Sequence, residues 1–185
     1  MTAPVVCVEA RESAPAPVER ARLSDRQLSL WLGFSHWFGP RLGTPEGFDT
    51  PTASLGVRPA VRFVELRLRY AGSTRALDLP TGVKSGVGFV SIEATLTHGL
   101  AVGAQRIDLY AGPLATLVHS NGATAGMGIL LGARFTIRAG NTGLSFGPFF
   151  EARSVFYKLP GESGGLLDPG RRDAHIDLGL VATAF

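Results

Sequence analysis

The chain has 185 residues and a formal net charge of +3, a size that suits one domain and suffices to close a barrel or build a full core. Its longest stretch free of Asp, Glu, Lys and Arg, from Leu109 to Ala133, is broken by Pro113, by His119-Ser-Asn-Gly122 and by further glycines. Nothing approaches the ~20 consecutive apolar residues of a membrane-spanning helix, which argues against a helical membrane protein but not against a membrane β-barrel, whose strands alternate.

The basic residues are almost all Arg, with Lys84 and Lys158 the only lysines. They are spread along alternating segments rather than gathered on one stripe, so nucleic acid is not an expected partner. Cys7 is the only cysteine and no internal disulfide can form. Met1 to Ala10 lacks the basic region and long apolar segment of a signal peptide, so no export signal is visible.

Residues 1–26, with Ala14-Pro-Ala-Pro17 and the charged run Glu19 to Arg26, read as an extended N-terminal tether; residues 27–185 read as the folded unit. From Gln27 the pattern has period two, one apolar and one polar face per strand. Leu28, Leu30, Leu32 and Phe34 oppose Gln27, Ser29, Gly33 and Ser35, with Trp31 on the polar side. Ala53, Leu55 and Val57 oppose Thr52, Ser54, Gly56 and Arg58. Val64, Leu66, Leu68 and Tyr70 oppose Glu65, Arg67 and Arg69. Val90, Ile92, Ala94 and Leu96 oppose Ser91, Glu93, Thr95 and Thr97. Ile107, Leu109, Ala111, Ala115 and Leu117 oppose Arg106, Asp108, Tyr110 and Thr116. Met127, Ile129, Leu131, Ala133 and Phe135 oppose Gly126, Gly128, Gly132 and Arg134. Leu144, Phe146, Phe150 and Ala152 oppose Ser145, Gly147, Glu151 and Arg153, and Ala174, Ile176, Leu178 and Leu180 oppose His175, Asp177 and Gly179. That makes eight strands.

The connections alternate too. Phe38 to Pro51, Ala71 to Gly86 and Lys158 to Arg172 are long; Pro59-Ala60, His98 to Ala104 and Arg138 to Thr142 are shorter. Only Val118 to Ala123 is short where a long one is expected. An even strand count with long loops at one end and short turns at the other is the pattern of an antiparallel up-and-down transmembrane β-barrel.

The polar faces carry Arg58, Arg67, Arg69, Arg106, Arg134 and Arg153 against Glu65, Glu93, Asp108, Glu151 and Asp177. Near balance is what a filled lumen needs, because an unpaired buried charge is costly. Glycines 33, 56, 112, 126, 128, 132 and 147 share that face, where they make room for arginine in a narrow interior. These eleven charged residues are therefore expected to form a lumen ion-pair network, with the aliphatic face outward. Trp37, Phe38, Tyr70, Phe89, Phe156 and Tyr157 near the long-loop ends, and Phe63, Phe135, Phe146 and Phe185 near the turns, suggest two interfacial bands.

On this alternation, loop asymmetry and terminal Phe185, the chain resembles the small eight-stranded bacterial outer-membrane barrels of the OmpA/OmpX type over residues 27–185. The resemblance implies the bacterial outer membrane as location, with residues 1–26 as a periplasmic tether. Phe185 is out of phase with Ile176, Leu178 and Leu180, and a bulge near Val181 would restore phase. Pro113 and Pro148, each after a glycine, predict bulges.

Candidate chemistry is sparse. His36, His119 and His175 map to the long-loop rim, where they are weak metal candidates with Asp49 or Asp173 against a reading with no metal and no cofactor. His119-Ser120 invites comparison with a serine hydrolase, but adjacent strand residues face opposite ways and no carboxylate is near in sequence, so catalysis is not expected. Eight strands enclose a lumen that side chains fill, which disfavours a general porin. The expected role is structural and interactive: a barrel surrounded by outer-membrane lipid and lipopolysaccharide, meeting other envelope proteins through loops and tether. The alternatives are a soluble lipocalin-like barrel with an apolar ligand inside and a lipid A-modifying outer-membrane enzyme.

Overall fold

The computed structural model describes residues 27–38, 48–59, 61, 63–73, 77–78, 84–119, 122–157 and 172–184. The N-terminal tether, Ser120 and Phe185 lie outside the described residues. Among the described residues every regular element is a strand: β1 (Gln27–Phe38), β2 (Phe48–Arg58), β3 (Val64–Gly72), β4 (Leu77–Asp78), β5 (Lys84–Ser85), β6 (Gly88–Val102), β7 (Gln105–His119), β8 (Ala123–Arg138), β9 (Leu144–Tyr157) and β10 (Arg172–Ala184). The eight long strands form one closed antiparallel barrel, β10 pairing back onto β1, while β4 and β5 make a small hairpin within the β3–β6 connection.

Closure follows from the register. Starting at Leu28 and following the register around the wall, through Val57, Leu66, Ala94, Pro113 (set opposite Ala94 by the offset of the flanking pairs Glu93↔Leu114 and Leu96↔Ala111), Ile129, Ser154 and Ala174, the path returns to β1 at Phe38, ten residues further along. A stagger of ~33 Å around a wall of ~38 Å corresponds to strands tilted by about 40°, inside the range for closed barrels. The alternation places one face of every strand in the lumen. Ser29, Trp31 and Ser35 are buried while Leu28, Leu32 and Phe34 are more than half exposed.

Two strands run longer than their hydropathy suggests. β2 begins at Phe48, and β6 continues through the expected His98–Ala104 connection to Val102. That connection reduces to Gly103-Ala104, with Gly103 at φ 60 in the glycine slot of a tight two-residue hairpin.

The expected bulges are absent. The β6–β7 ladder lacks pairs opposite Gly112-Pro113 and resumes with unchanged offset, Glu93↔Leu114 on one side and Leu96↔Ala111 on the other. The β8–β9 ladder does the same around Gly147-Pro148, between Arg134↔Phe149 and Ile137↔Phe146. No residue is inserted, so these are gaps rather than bulges. Each proline still pairs on its other side, with Ile129 and Leu180 respectively. At each gap the preceding glycine lies so close to the neighbouring strand that a Cβ would collide with a backbone carbonyl, that of Ala94 for Gly112 and that of Phe135 for Gly147. The missing proton and the missing Cβ thus serve one local close approach. β10 keeps a single register with both neighbours down to Ala184, so there is no bulge at Val181 either.

Candidate functional site

The lumen is filled by alternating ionic and aromatic layers. Near the short-turn end, Arg58 and Arg134 hold Glu65 at 3.2 and 3.0 Å, and Arg134 and Arg106 hold Asp108 at 2.8 and 2.7 Å. Toward the loop end, Arg67 bridges Glu93 (2.9 Å) and Glu151, while Arg153 reaches Glu93, Glu151 and Asp177, the last at 2.9 Å. Arg69 completes this group on Asp177 at 2.8 Å. All eleven charged residues singled out from the polar faces lie in one or the other group. Ten of them are buried, and the Arg106 side chain is 16% exposed at the lumen mouth. Pairing in this interior is essential, since a lone buried charge costs several kcal/mol.

Aromatic plates separate the charge layers. The guanidinium carbons of Arg67 and Arg134 lie 4.5 and 5.1 Å from the centre of the Trp31 ring, close enough for the indole's quadrupole to attract both cations. Trp31 meets Phe149 edge-on at 4.9 Å and donates its Nε1–H to Ser29, whose hydroxyl donates to Glu65. The Tyr110 hydroxyl donates to Glu151 at 2.9 Å. Nearer the loops, Trp37 stacks on Phe89 at 4.3 Å and on His175 at 4.0 Å, Phe89 meets Tyr157 edge-on, and Tyr157 donates to Asp173. This cluster caps the ionic layer.

The interior cap corrects the expected aromatic bands. Trp37, Phe89 and Tyr157 are buried in the lumen and contribute nothing to an interfacial girdle. The outward aromatics at the loop end are Phe38, Tyr70 and the half-buried Phe156; Phe63 and Phe146 are exposed at the turn end, with Phe135 half-buried there. Strand parity carried the signal, because Phe89 shares its face with Ser91 and Glu93, and Tyr157 with Glu151 and Arg153.

The outer wall is the complement of the lumen. Between a loop-end rim of His36, Asp49, His119, Ser154 and Arg172 and a turn-end rim of His98 and Gln105, every outward position of the described barrel strands is apolar or glycine. The aliphatic face therefore points out, and a lipocalin-like interior for an apolar ligand does not exist in this lumen.

The weak metal candidates do not converge. His36 points outward and bonds Asp49 through Nδ1 at 2.7 Å; His175 is inside, stacked on Trp37; His119 is exposed at the end of β7. His36 and His175 therefore sit on opposite sides of the wall. Among the described residues no three His, Cys, Asp or Glu side chains form a metal-binding group.

No protein-family profile matches the sequence, and no curated protein shows significant similarity to it. Solved structures do match the fold. Neisserial surface protein A superposes with a TM-score of 0.51 at 12% identity, covering 88% of this chain and 98% of that one. The N-terminal β-barrel domain of Pseudomonas aeruginosa OprF gives 0.47 at 14% identity over 86% and 97% of the two chains. Ail, the attachment invasion locus protein of Yersinia pestis, gives 0.44 at 9% over 85% and 97%. The closed eight-stranded antiparallel barrel described here is thus the fold of small bacterial outer-membrane proteins.

Proposed function

We propose that this protein is an integral β-barrel of the bacterial outer membrane, with a plugged lumen, that acts as a structural and interaction protein through its loops and N-terminal segment. The observation that carries the membrane half is the unbroken apolar wall: Leu30, Leu68, Ile92, Leu131 and Leu180, from five different strands, are each at least 43% exposed with no charge among them. Soluble monomers rarely expose contiguous apolar patches beyond a few hundred Å², whereas a bilayer covers such a wall at no cost in exposed hydrocarbon. The layered ionic and aromatic interior supports a non-conducting role, because no solute can pass without dismantling buried pairs. With the lumen closed, the loops and the segment before Gln27 are what remain to meet partners.

Refolding the full chain into dioleoylphosphatidylcholine vesicles tests the membrane half. The barrel enters the vesicles, resists protease there and runs as a faster band on unheated gels. A stable monomer in detergent-free buffer that never enters vesicles would sink the reading. Removing residues 1–26 tests the interaction half: vesicle entry stays intact, and cross-linking to envelope proteins in cells falls. Unchanged cross-linking in that variant and in loop deletions would refute it.

A further inference from the structure

The apolar wall is not uniform. Where β7, β8, β9 and β10 pass the loop-side half of the barrel, a groove of about 670 Å³ opens on the outer surface. Small side chains form its floor, among them Pro113, Ala152 and Ala174, and Ile129 and Leu131 stand above it at 66% and 63% exposure. Leu68 on β3 and Ile92 on β6, outward elsewhere on the wall, carry bulkier side chains.

One end of the groove is polar. Arg172, the first residue of β10, is exposed and lies across from Phe156, an outward aromatic of the loop-end band. Its Nε donates to the Ser154 hydroxyl at 2.8 Å, which holds the guanidinium over the groove that both residues line. The two terminal nitrogens take part in no hydrogen bond or ion pair among the described residues. An arginine held by one edge, its fork unengaged among the described residues and at the depth of an aromatic band, suits a phosphate oxygen pair. An apolar groove running from that fork into the hydrocarbon suits an acyl chain.

We infer that this groove is a binding site for a phosphorylated, acylated lipid of the leaflet at the loop end, its phosphate on Arg172 and one chain along Ala152 and Ala174 between the Ile129–Leu131 ridge and β10. The site rests on the membrane reading. It goes beyond that reading in assigning a lipid class to a particular place on the wall.

The test uses the full chain in delipidated dodecyl maltoside micelles, offered dioleoylphosphatidic acid or the phosphate-free dioleoylglycerol, with retained lipid counted by native mass spectrometry. One phosphatidic acid per chain is retained, with a preference over the diacylglycerol of about tenfold. Arg172→Gln removes the preference and still retains both lipids weakly. Ala152→Leu fills the groove and lowers retention of both. Each variant shows the fast unheated band of a closed barrel. Equal retention of the two lipids by the wild type, or an unchanged preference in Arg172→Gln, overturns the site. A dimer that Ala152→Leu dissolves would make the groove an interface between copies and overturn it as well. Failure to enter dioleoylphosphatidylcholine vesicles overturns the membrane reading and the site together, whereas entry without lipid preference overturns the site alone.

Discussion

Replacing Arg153 by Met cuts the lumen network at its most connected point. Arg153 pairs with Glu93, Glu151 and Asp177, and its side chain is 1% exposed. Without it three buried carboxylates keep only Arg67 and Arg69 as cationic partners, and an uncompensated negative charge appears where the group was neutral. Removing one partner from a buried ion pair costs about 3–5 kcal/mol, and methionine preserves enough volume that little of this comes from a cavity. Arg106→Met is the matched control. Arg106 sits at the lumen mouth and pairs with Asp108, which keeps Arg134 at 2.8 Å when Arg106 is gone. The expected cost there is about 1 kcal/mol.

Both tryptophans of the chain, Trp31 and Trp37, lie inside the lumen, so their emission reports on its packing. Urea unfolding from vesicles, followed by that emission and extrapolated linearly, gives the two free energies. The variants should differ by at least about 2 kcal/mol, and adding Glu151→Gln to Arg153→Met should recover part of the loss by removing the stranded charge. Equal costs for Arg153→Met and Arg106→Met, within about 0.5 kcal/mol, would refute a desolvated network and mean that water screens both charges.

Ile92→Arg on the mid-wall, beside Leu68 and Ala115, should cost about 2–4 kcal/mol in vesicles and slow insertion, measured by the unheated-gel band. Gly112→Ala should destabilise the barrel by about 1–3 kcal/mol in the same urea assay, because its methyl meets the Ala94 carbonyl, while Pro113→Ala should stay within about 1 kcal/mol. His36→Ala breaks an exposed pair with Asp49 and an edge-on contact with the exposed Phe38 ring, so urea unfolding should shift by less than about 1 kcal/mol. In planar bilayers the wild type should show no sustained stepwise conductance; a stable open level would contradict the filled lumen.

The parts of this barrel that were legible in the sequence are those set by backbone geometry alone. Successive side chains of a strand must alternate, so Leu28, Leu30 and Leu32 had to share a face opposite Ser29 and Trp31 wherever that strand lay. Alternation does not say which face is inside; near-balanced Arg and Glu together with glycine decided that. The same parity would have placed Trp37 and Phe89 in the lumen, and would have parted His36 from His175, had position along the strand not been weighed above it. Other features were hidden for a physical reason. Beyond Thr97 both faces of β6 are exposed, so Gly99 and Ala101 no longer contrast with Leu100 and Val102 although the pairing continues to Gln105. Ion-pair partners were hidden more deeply, because Arg67 and Glu151 stand 84 residues apart on strands that never pair. They meet only across the lumen, at a height fixed by the stagger around the closed wall. That stagger is the sum of eight separate registers, seven of them spanned by a turn or loop and the eighth the β1–β10 closure, and a two-residue shift in any one would move Glu151 past Arg67 while leaving every strand's alternation untouched. The charge network therefore does more than fill the interior: among barrels with the same alternating strands, it favours the one register that pairs all eleven groups.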